Sequence, residues 1–274
     1  MHTLAANGAN IPAIGFGTFR VSSEDVLRMV PAAIEIGFRH VDTAQIYGNE
    51  AAVGEAIATS GVPRQDIFLT TKVWVDKFRS GDFGRSVDES LDKLRTDYVD
   101  LLLLHWPNPA VPLEEQIGEL NAARASGKAR NIGVSNYSTA LMKEAIRLSD
   151  APLATNQVEY QPFLDQSPVL DLARQNGMSV TAYFAMAEGR VFKDPVIGEI
   201  GRKHGKSPAQ VVLRWMVQQE DVLVLSKTLS RDRAIENFGI WDFVLDADDM
   251  ARLFALGSRD GRILNPANLA PEWD

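Results

Sequence analysis

Four side chains in this sequence have the types and spacing to move a proton together. Asp42 and Tyr47 stand close in His-Val-Asp-Thr-Ala-Gln-Ile-Tyr-Gly-Asn-Glu, residues 40–50; Lys72 closes Asp-Ile-Phe-Leu-Thr-Thr-Lys, residues 66–72; His105 closes the run Asp-Leu-Leu-Leu-Leu-His. Singly, each has a plain reading: a loop-capping aspartate, a packing tyrosine, a solvated lysine, a satisfied core histidine. As a set they suggest a tyrosine acting as proton donor. A free phenol, with a pKa of about 10, is a poor acid near neutrality. An ammonium beside it favours the phenolate, so Lys72 is expected to lower the pKa of Tyr47. Asp42 can hold Lys72 in place and keep it charged. His105 can donate a hydrogen bond to a carbonyl oxygen and steer it towards Tyr47. Only four histidines exist, at positions 2, 40, 105 and 204, and none forms a pair with metal-ligand spacing, so no metal site is expected. Without a metal, a carbonyl needs such a donor to polarise it.

These four groups must be delivered to one place by the elements that carry them. Apolar strand-like segments fall near 13–18, 39–43, 66–72, 98–106, 129–136, 153–160, 178–184 and 221–227, each followed by an amphipathic helical pattern. Such alternation means parallel strands with crossover helices. A doubly wound open sheet and a closed barrel both satisfy it. Eight units in a chain of 274 residues favour the (β/α)8 TIM barrel, as a single domain over residues 1–274. Ahead of the first unit, His-Thr-Leu-Ala-Ala-Asn-Gly-Ala-Asn-Ile-Pro-Ala reads as a β-hairpin turning at Asn7-Gly8, a cap for the barrel bottom. The last residues, Arg-Asp-Gly-Arg-Ile-Leu-Asn-Pro-Ala-Asn-Leu-Ala-Pro-Glu-Trp-Asp, are expected to lie as a loop over the mouth. Barrel chemistry sits at the C-terminal strand ends and the loops beyond them. Asp42 with Tyr47, then Lys72, then His105 occupy strand ends two, three and four.

Composition narrows the classes. Hydrophobic residues make up 45% and charged residues 23%, enough apolar matter for a large core. A net charge of -8 with no basic block argues against nucleic acid as a partner. The absence of cysteine rules out disulfides, thiolate nucleophiles and thiolate metal sites. No apolar run is long enough for a membrane span and the first residues do not read as a signal peptide, so a cytoplasmic protein is expected.

The segments Gly-Phe-Gly-Thr-Phe, Asp-Thr-Ala-Gln-Ile-Tyr-Gly-Asn-Glu-Ala-Ala-Val-Gly-Glu-Ala-Ile, Thr-Thr-Lys-Val-Trp, Leu-Arg-Thr-Asp-Tyr-Val-Asp-Leu-Leu-Leu-Leu-His-Trp-Pro, Ile-Gly-Val-Ser-Asn-Tyr, Thr-Asn-Gln-Val-Glu-Tyr-Gln-Pro-Phe and Ser-Lys-Thr-Leu-Ser-Arg-Asp-Arg-Ala-Ile-Glu-Asn-Phe keep one order through the chain. Together they resemble the aldo-keto reductase superfamily. Within it, Ser-Gly-Val-Pro-Arg and the final Leu-Ala-Pro-Glu-Trp-Asp are most similar to bacterial 2,5-diketo-D-gluconate reductases of the B type. The resemblance implies a (β/α)8 barrel that reduces aldehydes and ketones with NADPH, with Asp42, Tyr47, Lys72 and His105 as its tetrad. It implies small α-dicarbonyls such as methylglyoxal and 2,5-diketo-D-gluconate, or keto esters, as substrates. Many relatives are monomers, and a monomer is expected.

The dinucleotide fingerprint fails here, because Arg20 occupies the third glycine position of G-x-G-x-x-G. The resemblance supplies another way to hold the cofactor. Ser135, Asn136 and Gln157 match positions that bond the nicotinamide carboxamide, Tyr183 matches the ring that stacks on it, and Gly17 and Thr18 are expected to line its path. Lys227, Arg233 and the hydroxyl of Thr228 surround the start of the last helix of the eighth unit, where a 2′-phosphate would meet cations and helix N–H groups. Glu236 and Asn237 match adenine contacts. Relatives often carry Ser-Pro-Leu after the tyrosine, where this chain has Phe184, Ala185 and Met186, and the following segment is short, so a more open cofactor cleft is expected. Phe19, Trp74, Phe78, Trp106 and Trp273 are expected to wall the carbonyl pocket. Arg20, Lys77 and Arg262 are candidates for meeting an acidic substrate. A second reading is a barrel that binds NADPH without catalysis and serves as a redox-sensing partner subunit; the intact set of four argues against it. A metal-dependent barrel hydrolase is a third.

Overall fold

Eight parallel strands pair edge to edge until the last meets the first. In the computed structural model, which describes residues 2–274, a hairpin of β1 (Thr3–Ala6) and β2 (Ala9–Pro12) precedes the strands. They are β3 (Ile14–Gly17), β4 (His40–Asp42), β5 (Phe68–Val73), β6 (Val99–Leu104), β7 (Ala129–Ser135), β8 (Leu153–Glu159), β9 (Ser179–Tyr183) and β10 (Val222–Ser226). Their order follows the chain, and β10 pairs with both β9 and β3 to close the barrel.

The helices lie between the strands: α1 (Ser23–Ile36), α2 (Glu50–Ala58), α3 (Asp82–Leu94), α4 (Leu113–Ala125), α5 (Thr139–Leu148), α6 (Ser167–Gln175), α7 (Pro195–His204), α8 (Pro208–Val217) and α9 (Arg231–Phe238), with α10 (Ala247–Phe254) after the last unit. Their starts follow local chemistry. Ser22 accepts from the backbone N–H of Asp25, Asp194 caps α7 with Pro195 next to it, and Ser207 and Gln210 form a reciprocal cap on α8. The helix α10 was not expected from the sequence. It opens on a second reciprocal cap, between Asp246 and Asp249.

The strand β6 shows how the barrel sorts its side chains. Leu102 and Leu104 join the large core between strands and helices, while Leu101 and Leu103 join a separate interior cluster with Ala154, Leu223, the hairpin residues Ala9 and Ile11, and Ala13 just beyond the hairpin. Side chains alternate across a strand, so an unbroken leucine run fills both compartments. The hairpin turns at Asn7 and Gly8, both with positive φ, and Asn7 Nδ2 donates to the carbonyls of Leu153 and Asn176. The expected cap is therefore formed, pinned at the end where β8 begins. Beneath the mouth the interior turns polar: His40 and Thr70, then Asp42 and Lys72, project from β4 and β5 into the barrel. Among the described residues, no helix is long and apolar enough to cross a membrane.

Candidate active site

Register brings the site together. Asp42 pairs with Thr70 across β4 and β5, and Lys72 pairs with Leu103 across β5 and β6, one strand from His105. The backbone N–H of His105 donates to Val73 O at 3.2 Å. Tyr47 comes from the loop after β4, in a single helical turn that closes at Gly48 with φ 69. Asn49 locks that loop: its Nδ2 donates to the carbonyls of Thr18 and Val21, and its Oδ1 accepts from Thr43 Oγ1. Gln45 bonds the opposite side, accepting from Trp74 N at 2.8 Å. The phenol is thus carried on a loop fixed to the segments that follow β3, β4 and β5.

Lys72 is completely buried, and its ammonium spends all three protons inside the protein. It donates to Asp42 Oδ1 at 2.6 Å, to Thr43 O at 2.8 Å and to Tyr47 Oη at 3.5 Å. Asp42 Oδ2 accepts from Gln157 Nε2 at 2.9 Å. A further buried carboxylate, Glu50, accepts from Thr71 Oγ1 at 2.6 Å; burial raises its pKa, and the charge of Lys72 works against that rise. Burial also pulls the ammonium of Lys72 down, with Asp42 opposing it.

The phenol departs from expectation. Tyr47 is held well above its ordinary pKa, first by burial, then by the negative charge of Asp42. The sequence implied the reverse, a pKa lowered by Lys72. The reason is geometric: Lys72 gives its short contact to Asp42, and reaches the phenol oxygen only at 3.5 Å. Tyr47 therefore rests as the neutral, proton-bearing phenol.

His105 is also neutral. Burial, reinforced by the charge of Lys72, pushes its imidazole well below the ordinary value. Its Nδ1 is buried without a partner, so the single proton belongs on Nε2, the nitrogen left for the cavity. The ring packs edge-on against Tyr47 at 5.5 Å and Trp74 at 5.1 Å.

A cavity of about 450 Å³ opens over these groups. Asp42, Tyr47, His105, Trp74, Trp106, Phe19 and Ile46 line one part of it. It runs past Gly17, Ser135, Asn136, Gln157 and Tyr183 to Ser226, Lys227 and Asn237, with Phe184–Glu188, Leu264 and Pro266 along its sides. Three residues of that side segment, Phe184, Ala187 and Glu188, have positive φ. Lining that includes a tyrosine ring, polar groups and the cation of Lys227 suits a dinucleotide.

The polar side chains there are partly committed. Tyr183 Oη donates to Asn136 Oδ1 at 2.6 Å, and Asn136 Nδ2 donates to His105 O and to Ser135 Oγ. Ser135 Oγ donates to Gln157 O. No protein donor reaches Gln157 Oε1 among the described residues, which leaves that oxygen as an acceptor for an amide NH2.

Several expected residues lie elsewhere. Phe78 is fully buried against Phe83 and is no part of the cavity wall, because the chain turns at 75–77 and drives its ring into the core. Thr18 is buried beneath the site, with Oγ1 donating to Asp42 O. Thr228 Oγ1 accepts from Ser230 N, and neither it nor Arg233 nor Glu236 lines the cavity; Arg233 and Glu236 sit on α9. Trp273 stands behind the wall, packing against Trp106 at 6.4 Å. Of the candidate cations, Arg20 lines the cavity, Lys77 pairs with Asp76 outside it, and Arg262 lies on the face of Trp273.

Residues 13–257 match the family model described as Aldo/keto reductase family. The methylglyoxal reductase DkgB of Salmonella typhimurium is 45% identical over 267 residues, 96% of this chain and 99% of that protein. An aldo-keto reductase of Mycobacterium avium is 38% identical over 256 residues, 93% of this chain and 89% of that protein. A crystal structure carrying the provisional name 2,5-diketo-D-gluconic acid reductase B superposes with a TM-score of 0.99 at 63% identity, covering 100% of this chain and 98% of that one. A mutant of Gox0644 in complex with NADPH superposes with a TM-score of 0.91 at 32% identity, covering 96% of each chain. This chain belongs to the aldo/keto reductase family. It is an NADPH-dependent oxidoreductase acting on carbonyl groups, and the non-catalytic reading has no support.

Proposed function

We propose that the protein reduces small α-dicarbonyl compounds, methylglyoxal and 2,5-diketo-D-gluconate among them, with Tyr47 as proton donor. One observation carries the chemistry: a fully buried Lys72 joins Asp42 and Tyr47 at the floor of an aromatic-walled cavity that also holds His105. NADPH supplies the hydride when bound. Gln157 Oε1 would meet its carboxamide, Tyr183 its ring, Lys227 and Arg233 its 2′-phosphate, and Asn237 with Glu236 its adenine. Lys227 and Arg233 form no ion pair among the described residues, which suits a phosphate ligand.

His105 Nε2–H holds the substrate carbonyl oxygen towards Tyr47 and polarises it. As negative charge develops on that oxygen, the Tyr47 proton moves to it. An alkoxide is a far stronger base than a phenolate, so the transfer runs downhill even from a phenol of raised pKa. Lys72 then neutralises the phenolate, and the enclosed site strengthens that interaction. Asp42 keeps Lys72 charged and aimed. Trp74, Trp106 and Phe19 exclude water and favour a small, flat carbonyl compound. An electron-poor dicarbonyl accepts hydride most readily, and Arg20 at the rim offers a charge to an acidic sugar. The chain acts as one unit over residues 1–274, as a cytoplasmic monomer without nucleic-acid or membrane partners.

The test is a panel of carbonyl compounds with NADPH oxidation followed at 340 nm. Methylglyoxal should exceed simple monoaldehydes of similar size by at least about tenfold in kcat/KM. Equal or lower efficiency on the dicarbonyls would remove the substrate assignment.

A further inference from the structure

One of the buried carboxylates outside the tetrad holds the far end of the chain. Glu159 ends β8 with no exposed surface and forms no ion pair among the described residues. Its ligands are backbone groups from the far end of the chain, with the Gln161 Nε2 donor beside them at 3.5 Å. Ile263 N donates to both carboxylate oxygens, at 2.8 and 3.1 Å, and Leu264 N donates to Oε2 at 2.7 Å. Burying a carboxylate is costly unless its lone pairs are filled, and these N–H groups fill them with charge-assisted bonds.

The surrounding contacts point the same way. Gln161 Nε2 donates to Gly261 O at 2.9 Å, and Ser258 exchanges backbone bonds with Phe163 and Asp165. A Cβ at Gly261 would lie 1.7 Å from Phe163 O, so only glycine permits this approach. Beyond the contact, Leu264 and Pro266 line the same cavity as Tyr47 and His105. The segment then arches back. Trp273 Nε1 donates to Asn265, Arg262 lies 3.5 Å over the Trp273 ring, and Asp274 accepts from Thr139 N at 2.9 Å, at the start of α5.

We propose that Glu159 is a specificity-positioning residue: by gripping the N–H groups of Ile263 and Leu264, it sets Leu264 and Pro266 as the outer wall of the carbonyl pocket. The inference rests on the carbonyl-reductase reading of that pocket, but the grip itself is independent of turnover. Glu159 touches neither substrate nor the reacting atoms. A glutamine in its place presents an NH2 to one of the two N–H groups and releases that side of the wall.

The experiment compares wild type, Glu159→Gln, the shorter Glu159→Asp, and Leu264→Ala, which removes the wall directly. Trypsin cleavage after Arg262, NADPH affinity by fluorescence, and kcat and KM for methylglyoxal and for a bulky aryl α-dicarbonyl are measured. In Glu159→Gln, cleavage should accelerate by about tenfold or more, the loss of one charged hydrogen bond. Preference for the small over the bulky substrate should fall at least about fivefold, mostly through KM and in the same direction as in Leu264→Ala. NADPH affinity and kcat on methylglyoxal should stay within about twofold of wild type. Glu159→Asp should lie between the two, and it serves if the glutamine variant fails to fold. Unchanged cleavage in the folded variants, or equal losses on both substrates, would overturn the proposal. A wild type without dicarbonyl turnover would instead sink the functional reading, with the cleavage comparison still deciding whether Glu159 grips the tail.

Discussion

Gln157 Nε2 donates to Asp42 Oδ2 at 2.9 Å across a barrel interior, joining two residues 115 positions apart. Asp42 is thereby held from both sides, with Lys72 on its other oxygen. The residue expected to meet the nicotinamide carboxamide also orients the carboxylate that orients the lysine. On that assignment, cofactor contact and proton chemistry would share one hydrogen-bond chain.

That chain predicts coupling. Gln157→Leu should lower both NADPH affinity and kcat on methylglyoxal, while Asp42→Asn should lower mainly kcat. Combined, the two should lose less kcat than the sum of their separate effects, with an interaction of about 1–2 kcal/mol. A double-mutant cycle on single-turnover rates measures it. Strict additivity would mean that Gln157 acts on the cofactor alone.

The polar interior also predicts an acid-sensitive fold. Burial pushes the His40 imidazole down to about 4 from 6.5. Between those values the unfolded chain binds a proton that the native chain does not. Stability therefore rises with pH through the window, and falls as pH drops from about 6.5 towards 4. The shift corresponds to at most about 3 kcal/mol. His105 contributes in the same direction, because burial also lowers its pKa. Urea unfolding at pH 7 and pH 5 should show the loss in wild type and a clearly smaller one in His40→Gln. An equal pH dependence in both proteins would contradict the assignment.

The far end of the cavity predicts cofactor choice. Lys227→Ala should weaken NADPH binding by about tenfold or more and leave NADH nearly unchanged, with Arg233→Ala acting in the same direction. Titration of both nucleotides against both variants tests it. Equal losses for NADPH and NADH would place the phosphate elsewhere.

Much of this architecture was legible in the sequence for a physical reason. A parallel barrel strand is buried on both faces, so segments such as the leucines at 101–104 read as unbroken apolar runs, and a polar residue at their ends stands out. That is how His105 declared itself, whereas Lys72 follows two threonines and stands out as a charge near the end of β5. The helix α10 hid because Asp246, Asp248 and Asp249 look like solvated loop until Asp246 and Asp249 are seen to cap each other. Phe78 read as pocket wall through its nearness to Trp74 in sequence, which says nothing about where a turn sends the ring. Pairings over long separations, Gln157 with Asp42 and Glu159 with Ile263, left no local trace. The raised pKa of Tyr47 depends on enclosure and on a distance to Lys72, and neither is encoded in spacing.

The central claim, that Tyr47 delivers the proton, is tested most directly by Tyr47→Phe assayed for NADPH binding and for single-turnover reduction of methylglyoxal. The phenylalanine keeps the ring that packs against Phe19 and His105 and loses only the hydroxyl. NADPH affinity should stay within about threefold of wild type while the reduction rate falls by at least about 10²-fold, the contribution expected of a positioned general acid. A reduction rate close to wild type in the variant, with the cofactor bound, would contradict the account.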